Sequence, residues 1–175
     1  MWPSPCPARF TIGIFEVFQR LRIHIIAVGE RMPAWVDAAF RDYAGRLRGA
    51  CRVTLTEIAA GKRGKAADLR QIAADEGARL LAAVPAGCRL IALDREGRAP
   101  SSTELAEALG DWLAGGRDAA LLIGGPEGLA PDCLARADAV WSLSRLTLPH
   151  ALVRVVVAEQ LFRAWSILNR LPYHR

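Results

Sequence analysis

Short β-type runs alternate with helix-period segments along nearly the whole chain, and no other feature constrains the fold as strongly. "RIHIIAVG" (22–29), "RVTLTEI" (52–58), "RLIALD" (89–94), "DAALLIGG" (118–125) and "AVWSLS" (139–144) read as strands. Between and after them, helical spacing is read over 33–47, 65–84, 102–115, 130–137 and from His150 to about Asn169. Proline opens the first of these helices and serine or threonine is available to cap the third. A helix between two strands returns the chain to the edge from which it started, so the strands must run parallel and the helices must cover both faces. The expectation is one α/β domain with a parallel sheet. No internal repeat or linker divides it.

Composition narrows the class. Hydrophobic residues make up 52% of the 175, too many for a disordered chain. The longest apolar stretch, "LTLPHALVRVVVAEQLFRAW" (146–165), is interrupted by Arg154, Glu159 and Arg163, so no run reaches the roughly 18–20 residues of a bilayer span. Cys6, Cys51, Cys88 and Cys133 are scattered without C-x-x-C spacing, which argues against a metal site and for reduced core thiols in the cytoplasm. A formal net charge of +5 favours a polyanionic partner. Among the 23 basic residues the lysines are Lys62 and Lys65, both in "GKRGK" (61–65). That segment reads either as a solvated turn or as a mobile loop whose Lys62, Arg63 and Lys65 meet phosphates.

Residues 1–20, "MWPSPCPARFTIGIFEVFQR", differ from the rest. They are proline-rich at the start, and their short apolar run is broken by Glu16 and lacks a cleavage site, so a signal peptide fits poorly. The expectation is a poorly ordered lead, arising from a start placed too early, with the domain proper over 21–175.

In a parallel sheet, ligands bind beyond the C-terminal ends of the strands. Three loops meet that condition: 94–100, 124–129 and 144–150. "IGGPEGLAPD" (123–132) is neither a Walker A loop nor a dinucleotide fingerprint. Its glycines can let backbone approach a ligand or can serve only as turns. "SRLTLP" (144–149) offers main-chain groups in an apolar wall, which suits a nucleoside cofactor better than a triphosphate. The helix that follows is apolar nearly all round, which points to burial and, in a small domain, to a homodimer interface. Glu159 and Arg163 are spaced for an intrahelical pair. Arg154 lies near the helix start, where a cation needs an anion or acceptor.

"AGKRGK", "LLIGGPEGL", "WSLSRLTLPHALVRVVVAEQLFRAW" and the terminal "PYHR" together resemble the ribosomal large-subunit RNA methyltransferase H family, pseudouridine N3-methyltransferases of the SPOUT superfamily. The likeness runs in order from Leu21 to Arg175. It implies a C-terminal trefoil knot, which ordinary topology rules would not suggest, and a homodimer through the last helix. It implies S-adenosyl-L-methionine as methyl donor, with Leu93, Gly124, Gly125, Ser144, Arg145, Leu146, Thr147, Leu148 and Pro149 as cofactor-binding residues. The implied substrate is a pseudouridine in large-subunit rRNA on the assembled ribosome, with Lys62, Arg63, Lys65 and Arg175 as RNA contacts. No metal is implied.

The pseudouridine N3 must lose a proton before it can attack a methyl group. Arg154 is the expected cation near the developing carbonyl charge, with His174 or a water accepting the proton and Tyr173 stacking or donating in the tail. Each also has a plainer role open to it: Arg154 as a dimer bridge, His174 in a frayed terminus, His150 as a helix-start residue. His24 reads as structural. A nucleotide-binding oxidoreductase lacks its fingerprint here. A non-catalytic ribosome-associated RNA-binding factor remains the alternative, and would have no use for the cofactor.

Overall fold

The computed structural model describes residues 21–47 and 51–174. The expected lead over 1–20 and Arg175 lie outside the described residues. The elements follow in order: β1 Leu21–Val28, α1 Ala34–Arg46, β2 Cys51–Ile58, α2 Leu69–Ala82, β3 Arg89–Arg98, α3 Ser102–Gly115, β4 Ala119–Ile123, α4 Pro131–Arg136, β5 Ala139–Trp141, α5 His150–Leu168, and a 3-10 turn at Pro172–His174. The strands form one five-stranded sheet in the order β2-β1-β4-β3-β5. All four pairings are parallel, as the alternation of strand and helix demands.

Each strand sends alternate residues to opposite faces. Ile23, Ile25 and Ala27 of β1 pack with Phe40 of α1, Leu109 and Trp112 of α3, and Val157 and Leu161 of α5. Ile26 and Val28 pack with Leu80 of α2 and with Ala130 and Cys133 beside α4. Both faces are therefore covered. β4 lies between β1 and β3, and all five of its residues are buried, which accounts for its unbroken apolar run.

Three boundaries differ from the sequence reading for identifiable reasons. α2 starts at Leu69, not at Lys65, because the Asp68 side chain accepts the Arg70 and Gln71 N–H groups and caps the helix. β3 continues to Arg98 through a bulge, so that Trp141 of β5 pairs with both Leu93 and Arg98. Gly97 makes this possible: a Cβ there would lie 2.6 Å from the Trp141 backbone. β5 ends at Trp141, which frees 142–149 as a loop.

α5 lies against the sheet between α1 and α3. Leu161 is buried in the chain's own core at 1% exposure. The outward stripe of α5, Leu152, Val156, Glu159 and Arg163, is only half-buried. After α5 the chain folds back. Arg170 takes φ +55°, the Leu171 N–H donates to the Ser166 carbonyl, and Tyr173 returns to α5. Its ring meets Phe162 edge-on at 4.7 Å, its hydroxyl lies 3.1 Å from a Glu159 carboxylate oxygen, and the Arg163 guanidinium stands 5.1 Å from its centroid. An amphipathic tyrosine gains more by covering Phe162 than by hanging in solvent.

Candidate active site

A cavity of about 390 Å³ opens at the C-terminal edge of the sheet, walled by the ends of β3 and β4, the 142–149 loop and the start of α5. Its size lies within the range of small-molecule sites. Leu93, Gly124, Gly125, Ser144, Leu146, Thr147 and Leu148 all line it. Arg145 and Pro149 belong to the same loop but are absent from the cavity wall. Pro149 has another task. Its carbonyl accepts the N–H groups of Leu152 and Val153 and so starts α5.

The glycines on this wall are sterically required. A Cβ on Gly124 would stand 2.4 Å from the Gly128 backbone. A Cβ on Gly125 would stand 2.8 Å from the Glu76 carboxylate. The facing loop folds on itself: the Ser142 hydroxyl donates to the Ser144 carbonyl, and the Ser144 hydroxyl accepts the Leu146 N–H. The Thr147 and Leu148 N–H groups have no hydrogen-bond partner among the described residues. They remain available to a ligand.

The cavity also holds charge that sequence reasoning passed over. Asp94, Glu96 and Glu127 bring carboxylates to its wall, and Arg95 lies among them. Such acids suit a cationic ligand. Position was the signal that could have found them, since both 94–100 and 124–129 were already placed at strand ends. His150, the first residue of α5, lines the cavity as well. Burial, followed by the nearby Arg154 and Arg63 charges, holds its imidazole below the ordinary range. It is therefore neutral at neutral pH. Trp141, also on the wall, stacks on Trp112 at 5.8 Å.

The remaining expected residues lie elsewhere. Arg154 is completely buried and faces the sheet, away from the cavity wall. Its Nη1 donates to Glu57 at 2.5 Å, and its Nη2 donates to the carbonyls of Val28 and Gly29 at 3.0 and 2.6 Å. The acceptors it needed near the helix start are thus the ends of β1 and β2. Lys62 and Lys65 are exposed. Arg63 is fully engaged, with its Nε 3.0 Å and its Nη2 2.5 Å from Glu127, its Nη2 3.1 Å from Glu76, and its Nη1 2.9 Å from the Gly61 carbonyl. The basic loop is therefore tied down at its centre and free only at its flanks. Tyr173 packs on α5 beside Glu159, roughly 13 Å along the helix from His150 at the usual rise per residue. His174 closes the 3-10 turn.

Among the described residues there is no group of three His, Cys, Asp or Glu able to hold a metal ion, and no helix is long and apolar enough to cross a membrane. His24 keeps a structural setting on β1, its Nδ1 3.2 Å from the Thr54 hydroxyl, and burial lowers its pKa.

Comparison with known proteins agrees with this architecture. The family described as "Predicted SPOUT methyltransferase" matches residues 21–174. The chain is 61% identical over 155 residues to "Ribosomal RNA large subunit methyltransferase H" of Thioalkalivibrio sulfidiphilus, covering 89% of this chain and 99% of that one. Proteins of the same name from Methylococcus capsulatus and Nitrosococcus oceani are 53% and 52% identical, over 89% of this chain and 100% and 99% of theirs. With a parallel sheet, a glycine-walled cavity at its C-terminal edge, and identity of this level over nearly the whole of each relative, the chain belongs to the ribosomal RNA large subunit methyltransferase H family of SPOUT methyltransferases.

Proposed function

We propose that the protein transfers a methyl group from S-adenosyl-L-methionine to N3 of a pseudouridine in large-subunit rRNA, acting as a homodimer on the assembled ribosome in the cytoplasm. The observation that carries this reading is the cavity itself. It combines glycines that admit no side chain, unpartnered main-chain donors at Thr147 and Leu148, and carboxylates on the wall. The 144–149 loop and Leu93 would hold the nucleoside, with Asp94 and Glu127 near the sulfonium. When bound, the donor supplies an electrophilic methyl group.

The rest is work for the chain. The walls exclude water and aim the methyl group, and positioning of this kind can supply much of the acceleration. Lys62 and Lys65 offer phosphate contacts. The C-terminal trefoil knot expected of the family belongs to this proposal too, as does the second copy. Tyr173 lies too far along α5 to reach its own chain's cavity, so a tail that serves methyl transfer must serve the partner's. The outward stripe of α5 is the surface on which two copies would meet.

That geometry decides how the dimer should be tested. A charge at Leu161 would enter the chain's own core and unfold it, so it says nothing about the interface. Leu152→Asp combined with Val156→Asp changes the outward stripe. Sedimentation should show a folded monomer whose methyl transfer has fallen at least tenfold. An unchanged dimer would remove α5 from the interface.

The function is tested by calorimetry with S-adenosylmethionine, followed by transfer of labelled methyl to ribosomes from cells lacking this enzyme. Micromolar cofactor binding and label at a pseudouridine are the expected results. A protein that bound ribosomes but not the cofactor would instead be a ribosome-associated RNA-binding factor.

A further inference from the structure

We propose that Arg63 is a positioning residue that straps the basic 61–65 loop to the cofactor wall, so that RNA on Lys62 and Lys65 and cofactor in the cavity strengthen one another's binding. The inference rests on the methyltransferase reading and adds a coupling device to it. One guanidinium touches three parts of the molecule. It donates to the Gly61 carbonyl in its own loop, to Glu76 of α2, and to Glu127 on the cavity wall. Glu76 is 2% exposed, and it also accepts the Gly61 N–H at 2.7 Å. A carboxylate this buried needs such partners. Gly125, on the cavity wall, packs so closely on the pair that an added Cβ would meet Glu76 at 2.8 Å and Arg63 at 3.1 Å.

The loop therefore cannot shift without moving Glu127 or releasing it, and Glu127 and Gly125 are cavity walls. The exposed Lys62 and Lys65 flank Arg63 within two residues. Phosphates that hold these lysines fix the loop. A fixed loop fixes the glycine wall. Reciprocity requires the cofactor to tighten RNA by the same factor. The strap is charged throughout the working range, because the hydrogen bond from Arg63 holds Glu127 below the ordinary carboxylate range.

The experiment is calorimetry of S-adenosylmethionine into the full chain, alone and with unmethylated ribosomes. In the wild type, ribosomes should tighten the cofactor at least about fivefold, within the usual range of coupling between sites. Arg63→Ala should weaken the cofactor about tenfold and abolish the tightening. Arg63→Lys keeps the charge but not the planar fork, and should recover only part of each. Lys62→Ala with Lys65→Ala should leave cofactor affinity alone unchanged while reducing the salt slope of ribosome binding by about two. Where Arg63→Ala fails to fold, Arg63→Lys decides the question: a folded Arg63→Lys protein with wild-type cofactor affinity and full tightening by ribosomes overturns the proposal. A folded Arg63→Ala protein with wild-type cofactor affinity overturns the proposal. So does a weakened variant that ribosomes still tighten as in the wild type, since Arg63 would then be a brace and nothing more. A wild type that binds no cofactor fails earlier, and sinks the functional reading itself.

Discussion

Deleting residues 172–175 is expected to leave dimerisation and S-adenosylmethionine affinity near wild type and to lower methyl transfer at least about a hundredfold, the scale for losing a positioned acid–base or orienting group. Among the described residues no tail residue lies on the cavity wall, so binding there should not notice the loss. The fold should notice it slightly. The Tyr173–Phe162 edge contact is worth about 1 kcal/mol beyond the area it buries, so the truncated protein should melt a few degrees lower. Burial, then the hydrogen bond with Tyr43 and the charge of Glu159, push the Tyr173 hydroxyl well above the ordinary phenol range. It can donate or stack but cannot serve as a base near neutral pH. Single-turnover transfer to unmethylated ribosomes is the measurement. Tyr173→Phe should lose less than the truncation. Full activity in the truncation would reduce the tail to a cover for Phe162.

The elements were legible because period 2 and period 3.6 are local, and so were the three loops at strand ends, because a parallel sheet places them. What stayed hidden was partner choice across the chain. Arg63 and Glu127 are 64 positions apart, and Arg154 and Gly29 are 125 apart. No pattern in either segment announces the other. Counting cations therefore left the 61–65 loop open between a solvated turn and a phosphate-contacting loop, and could not show that Glu127 and Glu76 hold Arg63. The same blindness made α5 look like one continuous interface. An apolar helix reads alike whether its cover is α1, α3 and the sheet or a second copy, and only the packing separates Leu161, within the core, from Leu152 and Val156 outside it. Tyr173 was misjudged for a related reason. The helix already ends at Leu168, before Pro172, and the direction after the break is set by Phe162 and Glu159.

Arg154→Met is expected to destabilise the folded chain by about 3–5 kcal/mol, the scale for breaking a buried charged network. Methionine fills much of the same volume, so a cavity is not the main loss. The Val28 and Gly29 carbonyls are. Each loses a charged donor in a place water does not reach, at about 1–3 kcal/mol per buried acceptor. Glu57 contributes less, because its side chain is 35% exposed and can turn to solvent. The loss falls where α5, β1 and β2 converge, immediately before Gly29 turns the chain at φ +103°. The same clamp supports His150, which approaches to 3.4 Å of a Cβ placed on Gly29 and lines the cavity. Arg154→Lys retains one charge without the fork, can satisfy Glu57 or the carbonyls but not all three, and should fall between the two. Urea unfolding at fixed protein concentration is the measurement, and the midpoint should drop while the slope stays constant. The result also separates two roles for this side chain. If Arg154→Met unfolds early but its folded fraction transfers methyl groups at the wild-type rate, the guanidinium serves the architecture. A variant that keeps the wild-type midpoint and loses transfer would instead put the cation at the reacting base, which requires the ends of β1 and β2 to release it when RNA arrives.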